Sequence, residues 1–178
     1  MSKLSWKEQL DRKLARAVER KRQKNPLLVP IKVALVGVGN ELNGDDGAGN
    51  RVAVKLSALS NFPTLFLSIN AGNLPENASS VLRRFQPDLV ILVDAADFDG
   101  EPGEIRWLEA EQIGGMSAST HTLPLSILGR YIETELDCKV EYLGIQPEQL
   151  KFDSELSPSV IQAVDEIVRT FTDRMSRD

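Results

Sequence analysis

The stretch Ile31-Lys32-Val33-Ala34-Leu35-Val36-Gly37-Val38-Gly39-Asn40-Glu41-Leu42-Asn43-Gly44-Asp45-Asp46-Gly47-Ala48-Gly49 sets the reading of this chain. Its first eight residues form a nearly continuous apolar run with β-branched side chains, which suits a strand buried on both faces. A glycine-rich loop follows. Ala48, Val52, Leu56 and Leu59 then recur at helical spacing, giving one apolar stripe. A buried strand, a short loop and an amphipathic helix open a parallel α/β unit.

The same alternation continues along the chain. Residues 63–69 read as a second strand, 77–85 as a short helix and 89–93 as a third buried strand ended by Asp94. Residues 104–108 alternate in polarity, as an edge or antiparallel strand does. After a long loop over 109–120, Thr122-Leu123-Pro124 opens a helix with proline inside its first turn, and Leu125, Leu128, Ile132 and Leu136 give it a core face. Residues 140–144 make a late strand. Ser157-Pro158 starts a final helix whose Val160, Val164, Ile167, Val168 and Phe171 face inward. The pattern predicts a three-layer α/β/α fold: a mostly parallel twisted sheet with helices on both faces.

Residues 1–30 form a basic amphipathic helical extension ahead of the main domain, 31–178. Ser5 and Glu8 have capping-box spacing, Trp6, Leu10, Leu14 and Ala17 repeat at helical intervals, and Asn25-Pro26 ends the run. The segment holds nine Lys/Arg against three Asp/Glu, a balance of +6; the whole chain carries −5, so the remainder carries −11. The commoner role for such a helix is to pack its apolar stripe on its own domain and show its charges to water.

At 178 residues the chain suits one domain with a full core. The acidic body argues against nucleic acid, whose phosphates it repels, and favours a cation or a basic peptide. No apolar run is long enough to insert in a membrane. The basic N-terminus lacks the apolar region of a secretory signal, and the single cysteine, Cys138, fits a reducing compartment, so a cytoplasmic protein is expected. No long exposed apolar stripe is evident, which suggests a monomer.

Three residues carry the chemistry. Asp46 lies in the loop after the first strand, Asp94 at the carboxyl end of the third, and His121 just ahead of the helix that follows the long loop. Loops at the carboxyl ends of parallel strands gather on one rim, where ligands bind. Two carboxylates and an imidazole form a mixed oxygen/nitrogen set suited to nickel or zinc, with coordination positions left open for a substrate. The blander reading makes each Asp a helix cap and the His a structural residue.

Other schemes fail. A dinucleotide fingerprint needs glycine at position 42, where Leu42 stands, and Asp45-Asp46 oppose an anion where a pyrophosphate would sit. No Gly-Lys-Ser/Thr follows, so a P-loop is out. One histidine cannot supply a two-histidine zinc motif. Ser117 and Ser119 lack the closing glycine of a nucleophile elbow. Cys138 has no local histidine and reads as buried packing.

With these residues in place, the chain resembles the [NiFe]-hydrogenase maturation endopeptidases, most closely those serving the hydrogenase 3 of formate hydrogenlyase. Gly37-x-Gly39-Asn40 with Asp45-Asp46-Gly47-x-Gly49 is similar to the family's opening signature. Pro75-Glu76-Asn77, Val93-Asp94-Ala95, Pro102-Gly103-Glu104-Ile105, Thr120-His121-x-x-Pro124-Leu125 and Leu143-Gly144-Ile145-Gln146-Pro147 follow in the family's order. The resemblance implies a protease that removes the C-terminal extension of a [NiFe]-hydrogenase large-subunit precursor once nickel is inserted. It further implies that Asp46, Asp94 and His121 contact nickel supplied by that precursor. Asn70 stands where the family commonly has Asp, and the segment 1–30 precedes the usual family start. Two alternatives share the residue set: a nickel-binding chaperone, and another metal-dependent peptidase on the same fold. Asp45 reads either as a general base or, preferably, as a turn and cap residue.

Overall fold

The computed structural model describes residues 4–27, 30–59, 64–116 and 124–175. Strand β1 (Val33–Gly37) is fully buried along its length, as its unbroken apolar sequence requires. It pairs in parallel with β2 (Phe66–Asn70) on one side and β3 (Leu89–Ala95) on the other. Strand β5 (Lys139–Ile145) continues the parallel set against β3, and β4 (Ile105–Leu108) closes the edge antiparallel to β5. Among the described residues these five strands form one sheet in the order β2-β1-β3-β5-β4. The carboxyl ends of the four parallel strands therefore open on one rim.

Alternate residues of each buried strand face opposite helical layers. Leu35, Ile91, Val93, Leu143 and Ile145 belong to one core, with Val52 and Leu56 of α2 (Ala48–Ser57) and Val164, Ile167 and Phe171 of α6 (Pro158–Met175). Helix α1 (Trp6–Lys24) joins that layer through Leu10 and Ala17, which are buried, and the partly buried Trp6 and Leu14. Val36, Val90, Leu92 and Tyr142 point the other way. They meet Leu82 of α3 (Ser79–Phe85), Ile113 of α4 (Ala110–Met116), and Leu128 and Ile132 of α5 (Leu125–Leu136). The three-layer α/β/α arrangement follows.

Several local expectations shift. Helix α2 ends at Ser57, so Leu59 lies beyond it and is exposed. The helix expected over 77–85 begins as a 3-10 turn, Pro75–Ala78, before α3. Asp94 lies within β3, paired to Gly144, rather than after it. The stretch 109–120 contains α4, which Gly114 and Gly115 had hidden by lowering helix propensity. Pro124 occupies the N-cap of α5 with extended ψ, one position ahead of the first turn. The expected starts at Pro63 and Thr122 lie outside the described residues. The capping box of α1 is present, Ser5 Oγ accepting from Glu8 N while Glu8 accepts from Ser5 N at 2.8 Å, and Asn25 is its C-cap. No helix among the described residues is long and apolar enough to cross a membrane.

Candidate active site at the carboxyl rim

The loop after β1 is drawn tightly onto the sheet, and glycines permit it. Gly39 adopts φ +141°, a conformation closed to L side chains, and a Cβ there would run into the Asp46 carbonyl. Gly49, in the first turn of α2, passes so close to β3 that a Cβ would strike the carbonyl of Val93. Val38 N also donates to Val93 O at 2.9 Å. The 3-10 turn Gly44–Gly47 lies against β3, between Val38 and Gly49, which both meet Val93, the residue before Asp94.

This placement brings two of the three predicted residues to one rim. Asp46 is 2% exposed in the turn and Asp94 is 6% exposed near the end of β3. Two carboxyl groups on neighbouring backbone segments offer oxygen donors of the kind a divalent cation takes. His121 lies outside the described residues. Among the described residues no group of three or more metal-ligating side chains assembles.

Asp45, adjacent in sequence, does different work. It is fully buried, and its carboxylate accepts from Glu148 N at 2.8 Å, Gln149 N at 2.9 Å, Ser157 N at 2.6 Å and Ser157 Oγ at 2.9 Å. Its own N–H donates to Gln149 O at 3.1 Å. Both oxygens are engaged by donors, so Asp45 fastens the turn to the 146–157 loop and to the start of α6. This supports the turn-and-cap reading over the general base.

Two further polar residues escaped attribution in the sequence. Gln146, 7% exposed after β5, accepts from Phe98 N at 2.9 Å and Gly100 N at 3.1 Å and donates to Asp97 Oδ1 at 3.1 Å. It binds the loop after β3 to the loop after β5; its place in the Leu143–Pro147 motif was the available signal. Asn50, 1% exposed, donates to Gly39 O at 2.7 Å, leaving its Oδ1 buried without a hydrogen-bond partner. Asn70, at the end of β2, accepts from Gly72 N at 3.0 Å within its own turn.

A small hollow beside Asp94 is walled by Leu92, Leu108, Leu125, Tyr142 and Gly144. The larger cavity, about 390 Å³, lies between α2 and α6 and includes Gly44 and Gly47 but neither Asp46 nor Asp94. The hollow matters more for the chemistry, because Asp94 lines it, whereas neither predicted aspartate lines the larger space. Cys138 is excluded as a nucleophile. Burial foremost, and then the nearby Glu133, push its thiol up to about 11. It also precedes β5, at the opposite end of the sheet from the rim.

Comparison with known proteins bears directly on this rim. The chain matches the family HycI, hydrogenase maturation protease, over residues 50–174, which include Asp94 and the rim loops after β2, β3 and β5. The chain belongs to the hydrogenase maturation protease family. It is 34% identical over 134 residues to the hydrogenase 3 maturation protease of Escherichia coli K12, covering 75% of this chain and 84% of that one. The crystal structure of the [NiFe] hydrogenase maturation protease HycI from Thermococcus kodakarensis KOD1 superposes with a TM-score of 0.73. Identity to it is 30%, and the match covers 83% of this chain and 94% of that one. The solution structure of the endopeptidase HycI from Escherichia coli gives 0.69 at 31% identity, covering 82% and 90%. As a member of the family the chain is a hydrogenase maturation endopeptidase, which trims the C-terminus of a hydrogenase large-subunit precursor.

Proposed function

We propose that Asp46, Asp94 and His121 together contact nickel carried by the precursor, and that this contact places the scissile peptide bond for hydrolysis. The observation that supports this reading is the burial of Asp46 and Asp94 on adjoining backbone at one rim. Carboxylate and imidazole ligands suit nickel, and three protein ligands leave positions for those the precursor itself provides. The metal is therefore part of the substrate rather than a resident of the enzyme, and a precursor lacking it presents nothing for the three residues to hold.

In this scheme the enzyme contributes position. Gly39 and Gly49 let the turn approach β3, Asp45 locks it, and Asp46 and Asp94 are held without further rearrangement. Fixing the tail against the site makes hydrolysis effectively intramolecular. Water attacks the scissile carbonyl carbon, the C–N bond breaks, and the departing amine takes a proton. Nickel held by the three residues would supply Lewis acidity to that step.

Incubating a nickel-loaded large-subunit precursor with the protein and measuring its mass tests the reading. The wild type is expected to shorten the precursor, while His121→Ala and Asp94→Asn leave it intact with unchanged circular dichroism. Undiminished trimming by His121→Ala sinks the assignment.

A further inference from the structure

We propose that Leu42, Leu150 and Phe152 form a preorganised apolar docking patch for the body of the precursor, on the loop that carries Asp46 and the loop bonded to it. The proposal deepens the function proposed above and rests on it for the identity of the partner.

The fold gives these side chains no structural task. Phe152 is 72% exposed, Leu42 60% and Leu150 42%. A single exposed apolar residue is ordinary, but large ones gathered on neighbouring loops mark an interaction surface. The loops here are joined: Asp153 N donates to Leu42 O at 2.8 Å, and a Cβ on Gly44 would contact Ser154 Oγ, Gln149 O and Lys151 O. Segment 40–47 and segment 148–154 therefore behave as one unit.

That unit is continuous with the active rim. Leu42 precedes Asp46 by four residues on the same loop, and Asp45, between them, holds the second loop through Glu148 N and Gln149 N. A protein substrate engaged at Asp46 comes up to the loop that also carries Leu42. The chemistry of the edge then specifies the partner's surface: an apolar area flanking the nickel-bearing centre of the precursor. Because Asp45 has already fixed the loops, little ordering entropy remains to oppose binding. The Asp45 bonds thus serve two ends, seating Asp46 and holding the patch.

The test uses the full chain carrying Leu42→Ser together with Phe152→Ser, and the nickel-loaded precursor as substrate. KM for trimming and Kd for the precursor are expected to rise by about tenfold to a hundredfold, the range for removing aromatic and aliphatic anchors from an interface. The melting temperature and kcat stay unchanged, since both side chains are exposed and neither touches the reacting bond. Phe152→Leu in the otherwise native chain retains most of the affinity. Unchanged KM and Kd in the double variant overturn the proposal, as does a fall in kcat at constant KM. Sedimentation showing that the wild type pairs with itself through this patch, and that the variants only abolish that pairing, also overturns it. Wild-type protein that binds the loaded precursor but does not trim it defeats the proposed function while the docking patch stands; protein that neither binds nor trims defeats both.

Discussion

Replacing Asp45 by alanine leaves three backbone N–H groups and one hydroxyl at the 148–157 loop without their acceptor. Unsatisfied buried donors each cost about 1–3 kcal/mol, so a loss of about 3–5 kcal/mol is expected in a urea titration. Asp46→Ala removes a carboxylate without dismantling that network, so its expected signature is lost trimming with the fold retained. Two adjacent aspartates are thereby separated by one pair of stability and activity measurements. Cys138 offers a pH prediction. Its folded thiol titrates at about 11, above the ordinary 9.0, so the native state holds the proton more tightly than the unfolded chain. Stability from this group is complete below pH 9 and declines as pH rises through 11. Cys138→Ala is expected to flatten that decline in thermal melts between pH 8 and 10, below the ordinary 10.0 at which Tyr142, itself pushed up to about 12 by burial, begins to titrate in the unfolded chain.

Helix α1 shows how an element basic enough to suggest a partner is used by its own fold. Its cations reach carboxylates on the body: Lys13 pairs with Glu141, Lys21 with Asp88 at 2.7 Å, and Arg20 with Asp137 at 3.1 Å. Trp107 Nε1 donates to Trp6 O at 2.8 Å, and Trp6 Nε1 to Glu166 at 2.9 Å. Partly exposed ion pairs contribute little each, so the buried stripe dominates. Leu10→Ala is expected to cost about 2–5 kcal/mol, the range for truncating a fully buried leucine, while Ser5→Ala costs about 1 kcal/mol through the cap. Raising salt to 1 M should shift the melting temperature far less than Leu10→Ala does. A larger effect of salt than of that substitution would place the attachment in the charges instead.

At the scale of the molecule, the rim divides labour between the sheet and the substrate. Asp46 and Asp94 are carried by a rigid scaffold, and the proposed scheme leaves most nickel ligands to the precursor. Calorimetric titration of the purified protein with nickel alone is therefore expected to give weak binding. Tight binding by the free protein would mean a resident site and would remove the requirement for a loaded precursor.

Much of this was legible in the chain. The apolar run of β1, the stripes of α1, α2 and α6, and the alternation of β4 are local patterns, readable because burial imposes its period directly on sequence. The capping box at Ser5 and Glu8 was readable for the same reason. Helix α4 was not, since its glycines weaken the local signal and its place is set by packing on the sheet. Asp46 and Asp94 were identifiable as candidates from their positions after buried strands. What separated Asp46 from Asp45 was tertiary: donors more than a hundred residues away, at Glu148, Gln149 and Ser157, decide which carboxylate is consumed by structure. The Gly37–Gly49 loop, by its composition, excluded a nucleotide and favoured a cation. That its second aspartate shares a rim with Asp94 was readable from the parallel strand order. How tightly the loop is drawn onto β3 was not, because the approach of Gly49 to Val93 depends on how β1, α2 and β3 pack and not on any residue's neighbours in sequence.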